Sequence, residues 1–175
     1  MATPTTCRTS QSPSTSTPRT RLPSIERRET PHMNLPYNPW DAAEELELHI
    51  RYGPLRDSWA WWVPAHRLIV MADRLTQVQE RCALAHEVEH ARNKDTECRN
   101  ASLISPVLAR RQEIRADEGA ARKLIPVVDL EEALVWATSR EEAAHELGVT
   151  EHMLRVRLRI RRRELEWLDT SRTGG

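Results

Sequence analysis

The 175-residue chain contains no phenylalanine, only three cysteines and no long apolar run. A membrane helix needs about 20 consecutive apolar residues and a secretory signal needs an apolar core near the N-terminus, so we expect a cytoplasmic protein. Cys7, Cys82 and Cys98 form no Cys-x-x-Cys pair. Their odd number and wide spacing argue against a disulfide framework and against a cysteine zinc site. Six tryptophans supply much of the aromatic bulk for a core.

An excess of either charge is also missing, because 26 basic residues balance 26 acidic ones. No global field therefore draws the protein to nucleic acid or to a membrane. The length fits one domain with tails. Residues 1–35 are rich in Ser, Thr and Pro and have little to bury, which predicts a disordered tail, with a docking tail as the functional alternative. We expect residues 171–175 to form a flexible end.

From Pro36 onward, apolar spacing and capping residues predict a mostly helical α+β fold with one small antiparallel β-hairpin. Thr76 and Gln79 form a capping box at the start of one of these helices. The elements predicted in chain order are a helix from Asn38 to about Ile50, strands at 58–63 and 67–72, and helices at about 76–93, 106–124, 130–137, 140–147 and 150–167.

The capped helix contains the segment His86-Glu87-Val88-Glu89-His90. His86 and His90 are four positions apart, so both imidazoles project from one helix face and can converge on one Zn²⁺ ion. Glu87 lies beside that face, where it can take a proton from an attacking water and hand it to a leaving amine. The pattern predicts zinc-dependent peptide hydrolysis. The competing interpretation is a polar helix face with two solvated histidines.

A catalytic zinc site needs a third protein ligand. The best candidate is Glu113, which shares a predicted helix face with Asp117. Asp117 would accept a hydrogen bond from the non-ligating nitrogen of a zinc-bound histidine and so fix that ring. The alternative for Glu113 is an ordinary exposed carboxylate. The remaining histidines considered as ligands, His66, His145 and His152, are predicted to be surface or interface residues.

The order of these features resembles the ImmA/IrrE family of bacterial and phage metallopeptidases over about residues 40–160. It comprises a short strand pair, H-E-x-x-H on a helix, and then E-x-x-A-D within QEIRADEGAARKLIP. The resemblance implies a zincin-like core at residues 36–130, of the gluzincin type, with the metal ligands and the catalytic base at the positions named above. It also implies that the substrate is a helix-turn-helix transcriptional repressor, whose cleavage or inactivation derepresses a phage, a mobile element or a stress response.

Two positions depart from the usual pattern of that family. Glu89 stands where a small residue often precedes the second histidine, and Gly119 stands where an aromatic residue is common. Neither departure removes a ligand. Both concern the packing between the two helices that carry the site.

Residues 131–170 hold the predicted C-terminal helices, with a helix-turn-helix-like pattern in which Gly148 makes the turn. One interpretation is a DNA-binding element in which Arg155, Arg157 and Arg159 contact phosphates. The protein would then be a DNA-binding transcriptional regulator with a structural or vestigial metal site. We favour a helical hairpin packed on the core, because a leucine stripe there needs burial and the global charge is balanced. The stripe consists of Leu154, Leu158, Leu165 and Leu168.

Overall fold

The computed structural model describes residues 37–96 and 105–173. The predicted tail at residues 1–35 lies outside the described residues, as does the end of the chain after residue 173. Within the described ranges the fold is α+β and mostly helical, as predicted. The helices are α1 (Pro39–Glu45), α2 (Gln77–Arg92), α3 (Pro106–Leu124), α4 (Val127–Trp136), α5 (Arg140–Glu146) and α6 (Glu151–Thr173). The strands are β1 (His49–Gly53), β2 (Ala60–Val63) and β3 (Leu68–Ala72).

The prediction of a first helix reaching Ile50 is wrong. Helix α1 starts after Asn38 and ends at Glu45. The Asn38 side chain caps it by accepting a hydrogen bond from the Trp40 backbone N–H. Glu47 then adopts a left-handed conformation with φ of 51°, which does not continue the helix. The following residues form β1, in which Ile50 pairs with Ile69 of β3. Pairing with a distant strand therefore overrides the helical spacing of the apolar residues.

The predicted antiparallel pair, β2 with β3, is confirmed. A short 3₁₀ turn at Pro64–His66 joins the two strands. Strand β1 adds to the other side of β3 in the parallel direction, so the sheet has three strands in the order β1–β3–β2 and is mixed rather than antiparallel. Strand β2 is consequently an edge of this sheet.

Helix α2 lies between two apolar clusters. It begins with the predicted capping box, in which the side chains of Thr76 and Gln79 each accept a hydrogen bond from the other residue's backbone. One face of α2 buries Leu84 and Val88 in a cluster with the sheet. Another face buries Cys82 in a cluster formed with the C-terminal helices. The helix that carries His86 and His90 is thus fixed from two sides.

The C-terminal helices pack on the core. Gly148 has a φ of 58°, which glycine adopts without a steric penalty, and this residue turns the chain between α5 and α6. Thr150 caps α6 by accepting a hydrogen bond from the Met153 backbone at 3.3 Å. The leucine stripe is buried only at its start, because Leu165 and Leu168 are 46% and 47% exposed near the end of α6.

Arg157 does not share the exposed position of Arg155 and Arg159. It is 2% exposed, and its Nε donates a hydrogen bond to the Ile125 carbonyl oxygen at 2.8 Å. Arg155 and Arg159 are exposed on the other side of the helix. The expectation that all three arginines could contact DNA phosphates therefore fails for Arg157, whose guanidinium holds α6 against the end of α3. In the described part of the chain, no helix is long and apolar enough to cross a membrane.

Candidate metal centre

The structure brings His86, His90 and Glu113 together. The two Nε2 atoms lie 3.0 Å apart, and the imidazole rings are nearly perpendicular at 78°. The Glu113 carboxylate faces both rings, with Oε2 3.4 Å from His86 Nε2 and Oε1 3.5 Å from His90 Nε2. One donor atom from each residue falls within 4.8 Å of the other two. Helix α2 therefore supplies two nitrogens and helix α3 one carboxylate to a common point.

Each histidine is oriented by a carboxylate at its other nitrogen. Asp117 Oδ1 lies 2.9 Å from His86 Nδ1, and Asp95 Oδ2 lies 2.9 Å from His90 Nδ1. Because an ionised carboxylate only accepts, Nδ1 carries the hydrogen in both rings. In the neutral ring this leaves the Nε2 lone pair directed at the shared point, which is the tautomer that a metal ligand requires.

Asp95 is a residue of the candidate site that the sequence analysis missed. Lys94 has a φ of 55°, and the chain folds back so that the Asp95 backbone N–H donates to the His90 carbonyl oxygen at 2.9 Å. The Asp95 side chain is buried and forms an ion pair with Arg115, while the backbone carbonyl oxygen of Asp95 accepts a hydrogen bond from Trp62 Nε1 at 3.3 Å. An acidic residue just beyond the C-terminus of the histidine helix was the one available signal in the sequence.

The electrostatics of the cluster favour positive charge. Burial alone would lower the pKa of His86, but hydrogen bonds to Asp117 and Glu113 outweigh it and raise that pKa to about 10. The pKa of His90 is also raised, since the carboxylates around it overcome the effect of burial. Hydrogen bonds from the two histidines hold the pKa of Glu113 well below its usual range. In the metal-free protein, the raised pKa values of His86 and His90 favour protons at the point where a metal cation would bind.

These residues fit a divalent metal ion. Two Nε2 lone pairs 3.0 Å apart repel each other unless a proton or a metal ion lies between them. The separation is close to the roughly 3.3 Å that two nitrogens have in a tetrahedral zinc site with bonds of about 2.0–2.1 Å. Two imidazoles and one carboxylate also form the ligand set of a catalytic rather than a structural zinc site, because they leave a coordination position open.

Glu87 lies on α2 beside the ligands and is 8% exposed. Burial raises its pKa, whereas the nearby charges of His86 and His90 lower it. The backbone of Trp62, in the edge strand β2, also lowers the pKa of the Glu87 carboxylate. Glu87 therefore sits between the candidate metal ligands and the sheet edge, with a proton affinity above that of an exposed glutamate.

Glu89 points away from the ligands and packs on α3. It is buried, it pairs with Lys123, and Arg92 Nε lies 3.6 Å from its carboxylate. Its side chain occupies the space beside Gly119, where a Cβ atom would come within 3.0 Å of Glu89 Cγ. The two departures from the family pattern are therefore one packing arrangement, in which the missing side chain at 119 makes room for the larger one at 89.

The three histidines predicted to lie outside the ligand set do so. His66 is in the 3₁₀ turn and His145 is at the end of α5, and both are exposed. His152, at the start of α6, is exposed as well, but its Nε2 lies 3.0 Å from Asp117 Oδ2. This histidine is therefore connected to the metal centre through the carboxylate that orients His86.

Two histidines, a carboxylate ligand and an adjacent buried glutamate define a candidate metalloenzyme centre rather than a polar helix surface. The family model described as Peptidase M78, IrrE N-terminal-like domain, matches residues 41–159. The chain therefore belongs to this metallopeptidase family, which confirms the predicted resemblance to ImmA/IrrE proteins. A search of curated proteins finds no match to the chain.

Proposed function

We propose that this protein is a zinc-dependent endopeptidase in which His86, His90 and Glu113 bind the metal and Glu87 is the catalytic base. The observation that carries the proposal is the convergence of three donor atoms within 4.8 Å. The tautomers support it, since both Nδ1 atoms are tied to carboxylates and both Nε2 atoms are left for the metal.

A zinc ion bound there supplies Lewis acidity, which lowers the pKa of water toward about 7 and polarises a carbonyl oxygen. The protein supplies the proton transfer. The Glu87 carboxylate takes a proton from the attacking water and returns it to the leaving amine nitrogen. In the metal-free protein burial raises the pKa of Glu87, which favours a carboxylate able to hold the proton between the two transfers. Asp95 and Asp117 keep the ligand rings in place.

We propose that the peptide substrate binds along the edge of the sheet. Strand β2 lies at the edge, and its Trp62 backbone is near enough to Glu87 to lower the pKa of that carboxylate. An extended peptide adding to this edge would place its backbone beside the catalytic carboxylate. The resemblance to ImmA/IrrE proteins leads us to propose a helix-turn-helix repressor as the substrate and the cytoplasm as the place of cleavage.

The alternative, a DNA-binding regulator with a structural metal site, would need an exposed basic surface on α6. It loses one of its three proposed contacts, because Arg157 is buried. Exposed Arg155 and Arg159 remain available for DNA. Replacing both with alanine should leave peptidase activity intact under our proposal, whereas the alternative requires loss of operator binding.

Co-expression with the repressor encoded nearest to this protein tests the proposed activity. Wild-type protein should produce a repressor fragment, and Glu87→Gln should not, although it keeps the ligands and the shape of the site. Glu132→Gln, an exposed glutamate on α4, is the matched control and should cleave like the wild type. A fragment that appears equally with Glu87→Gln would show that Glu87 is not the catalytic base.

A further inference from the structure

Asp117 has two partners on two different helices. Its Oδ1 faces His86 Nδ1 at 2.9 Å, and its Oδ2 lies 3.0 Å from Nε2 of His152 in the first turn of α6. Because the carboxylate only accepts hydrogen bonds, His152 Nε2 carries the hydrogen in this contact. Asp117 therefore bridges a candidate metal ligand and a histidine of the C-terminal helix.

The backbone that carries His152 is fixed relative to α2. The Thr150 backbone N–H donates to Cys82 Sγ at 3.4 Å, and Cys82 lies one turn before His86 on α2. Met153, the residue after His152, is buried in the core. The start of α6 is thus held on α2, the helix that presents His86. The position of His152 beside Asp117 is therefore fixed by packing in the core.

The two orienting carboxylates differ in what holds them. Asp95 is 2% exposed, so its surroundings leave it little freedom, and it also pairs with Arg115. The Asp117 side chain is 22% exposed and can rotate toward water more easily. Its contact with His152 restricts that rotation.

We propose that His152 is a positioning residue of the metal centre, which holds the Asp117 carboxylate in the orientation that fixes the His86 ring. His152 does not itself contact the metal ligands. The inference rests on the proposed metal site, and it assigns the first turn of α6 to that site rather than to DNA contact.

Zinc affinity of the full-length protein, measured by competition with a chromophoric chelator, tests this inference without relying on peptidase activity. Asp117→Ala should weaken zinc binding about 10- to 100-fold, and His152→Ala roughly three- to tenfold, as expected for a partner one step further from the metal. His152→Gln should restore most of the loss, because its amide nitrogen can donate where the imidazole Nε2 does. His145→Ala, an exposed histidine on α5, is the control and should bind zinc like the wild type.

A double-mutant cycle separates positioning from a general structural role. If His152 acts through Asp117, His152→Ala should have no further effect in the Asp117→Ala background. An unchanged zinc affinity for His152→Ala, or an equal loss in both backgrounds, would overturn the inference. Wild-type protein that binds no zinc would instead refute the proposed function. His152 is 53% exposed, so its variants should fold, which thermal unfolding of the metal-free proteins checks.

Discussion

Replacement of Gly119 by alanine should destabilise the protein, although alanine is the better helix former by about 1 kcal/mol. A Cβ atom at this position would lie 2.9 Å from Glu89 Cδ and 3.0 Å from Cγ, and nearer still to a carboxylate oxygen. The Glu89 side chain is buried and is held by Lys123 and Arg92, so it has little room to move aside. The substitution therefore forces apart two helices that both carry candidate metal ligands.

The size of the effect follows from opposing contributions. Overpacking by one methyl group costs about 1–3 kcal/mol. The weakened charge-assisted contact to Lys123, which is one-third exposed, adds about 1 kcal/mol after solvent screening. Helix propensity returns about 1 kcal/mol. The expected net loss is about 1–3 kcal/mol, and each kcal/mol lowers the melting temperature by roughly 2–4 °C in a chain of this length.

Urea unfolding of Gly119→Ala, Glu89→Ala and the double variant measures this coupling. In the Glu89→Ala background the clash is gone and the propensity gain remains, so Gly119→Ala should become stabilising by up to about 1 kcal/mol. The reasoning is refuted if Gly119→Ala is as stable as the wild type, or if it destabilises both backgrounds equally.

Two further predictions concern the metal centre. Asp95→Asn should lower zinc affinity about 10- to 100-fold, because the amide oxygen is a weaker acceptor for the His90 ring than the carboxylate is. Competition with a chelator measures this affinity, and an unchanged value would contradict the prediction. In metal-free protein the pKa of His86 is raised from 6.5 to about 10, so its contribution to stability is complete below pH 6.5 and is lost as the pH rises through about 10. The lowered pKa of Glu113 contributes stability above about pH 4.5 that is lost on acidification. Urea unfolding with a chelator should therefore show a decline from pH 6.5 to 10 that is shallower in His86→Ala, and equal slopes would exclude the protonated histidine.

The features that could be predicted from the sequence are those set by neighbours along the chain. The capping box of Thr76 and Gln79 locates α2, and the i, i+4 spacing then puts His86 and His90 on one face. Ser105 caps α3 by accepting a single hydrogen bond from the Leu108 backbone at 3.3 Å. Local sequence therefore locates both helices of the site.

The features that were missed depend on partners far away in the sequence. Strand β1 exists because it pairs with β3, whereas its own apolar spacing is also compatible with a helix. Asp95 reaches His90 only because Lys94 adopts a left-handed conformation at the end of α2. Arg157 is buried because Ile125 offers a carbonyl oxygen at the end of α3, a contact that no periodicity in α6 could indicate.

The central claim is that His86, His90 and Glu113 bind one metal ion. It is tested most directly by measuring the zinc bound to purified full-length protein at neutral pH. One zinc per chain is expected for the wild type and for Glu87→Gln, and binding should be strongly weakened in His90→Ala and Glu113→Ala. Wild-type protein that binds no zinc, or an affinity that is the same in His90→Ala, would contradict the claim.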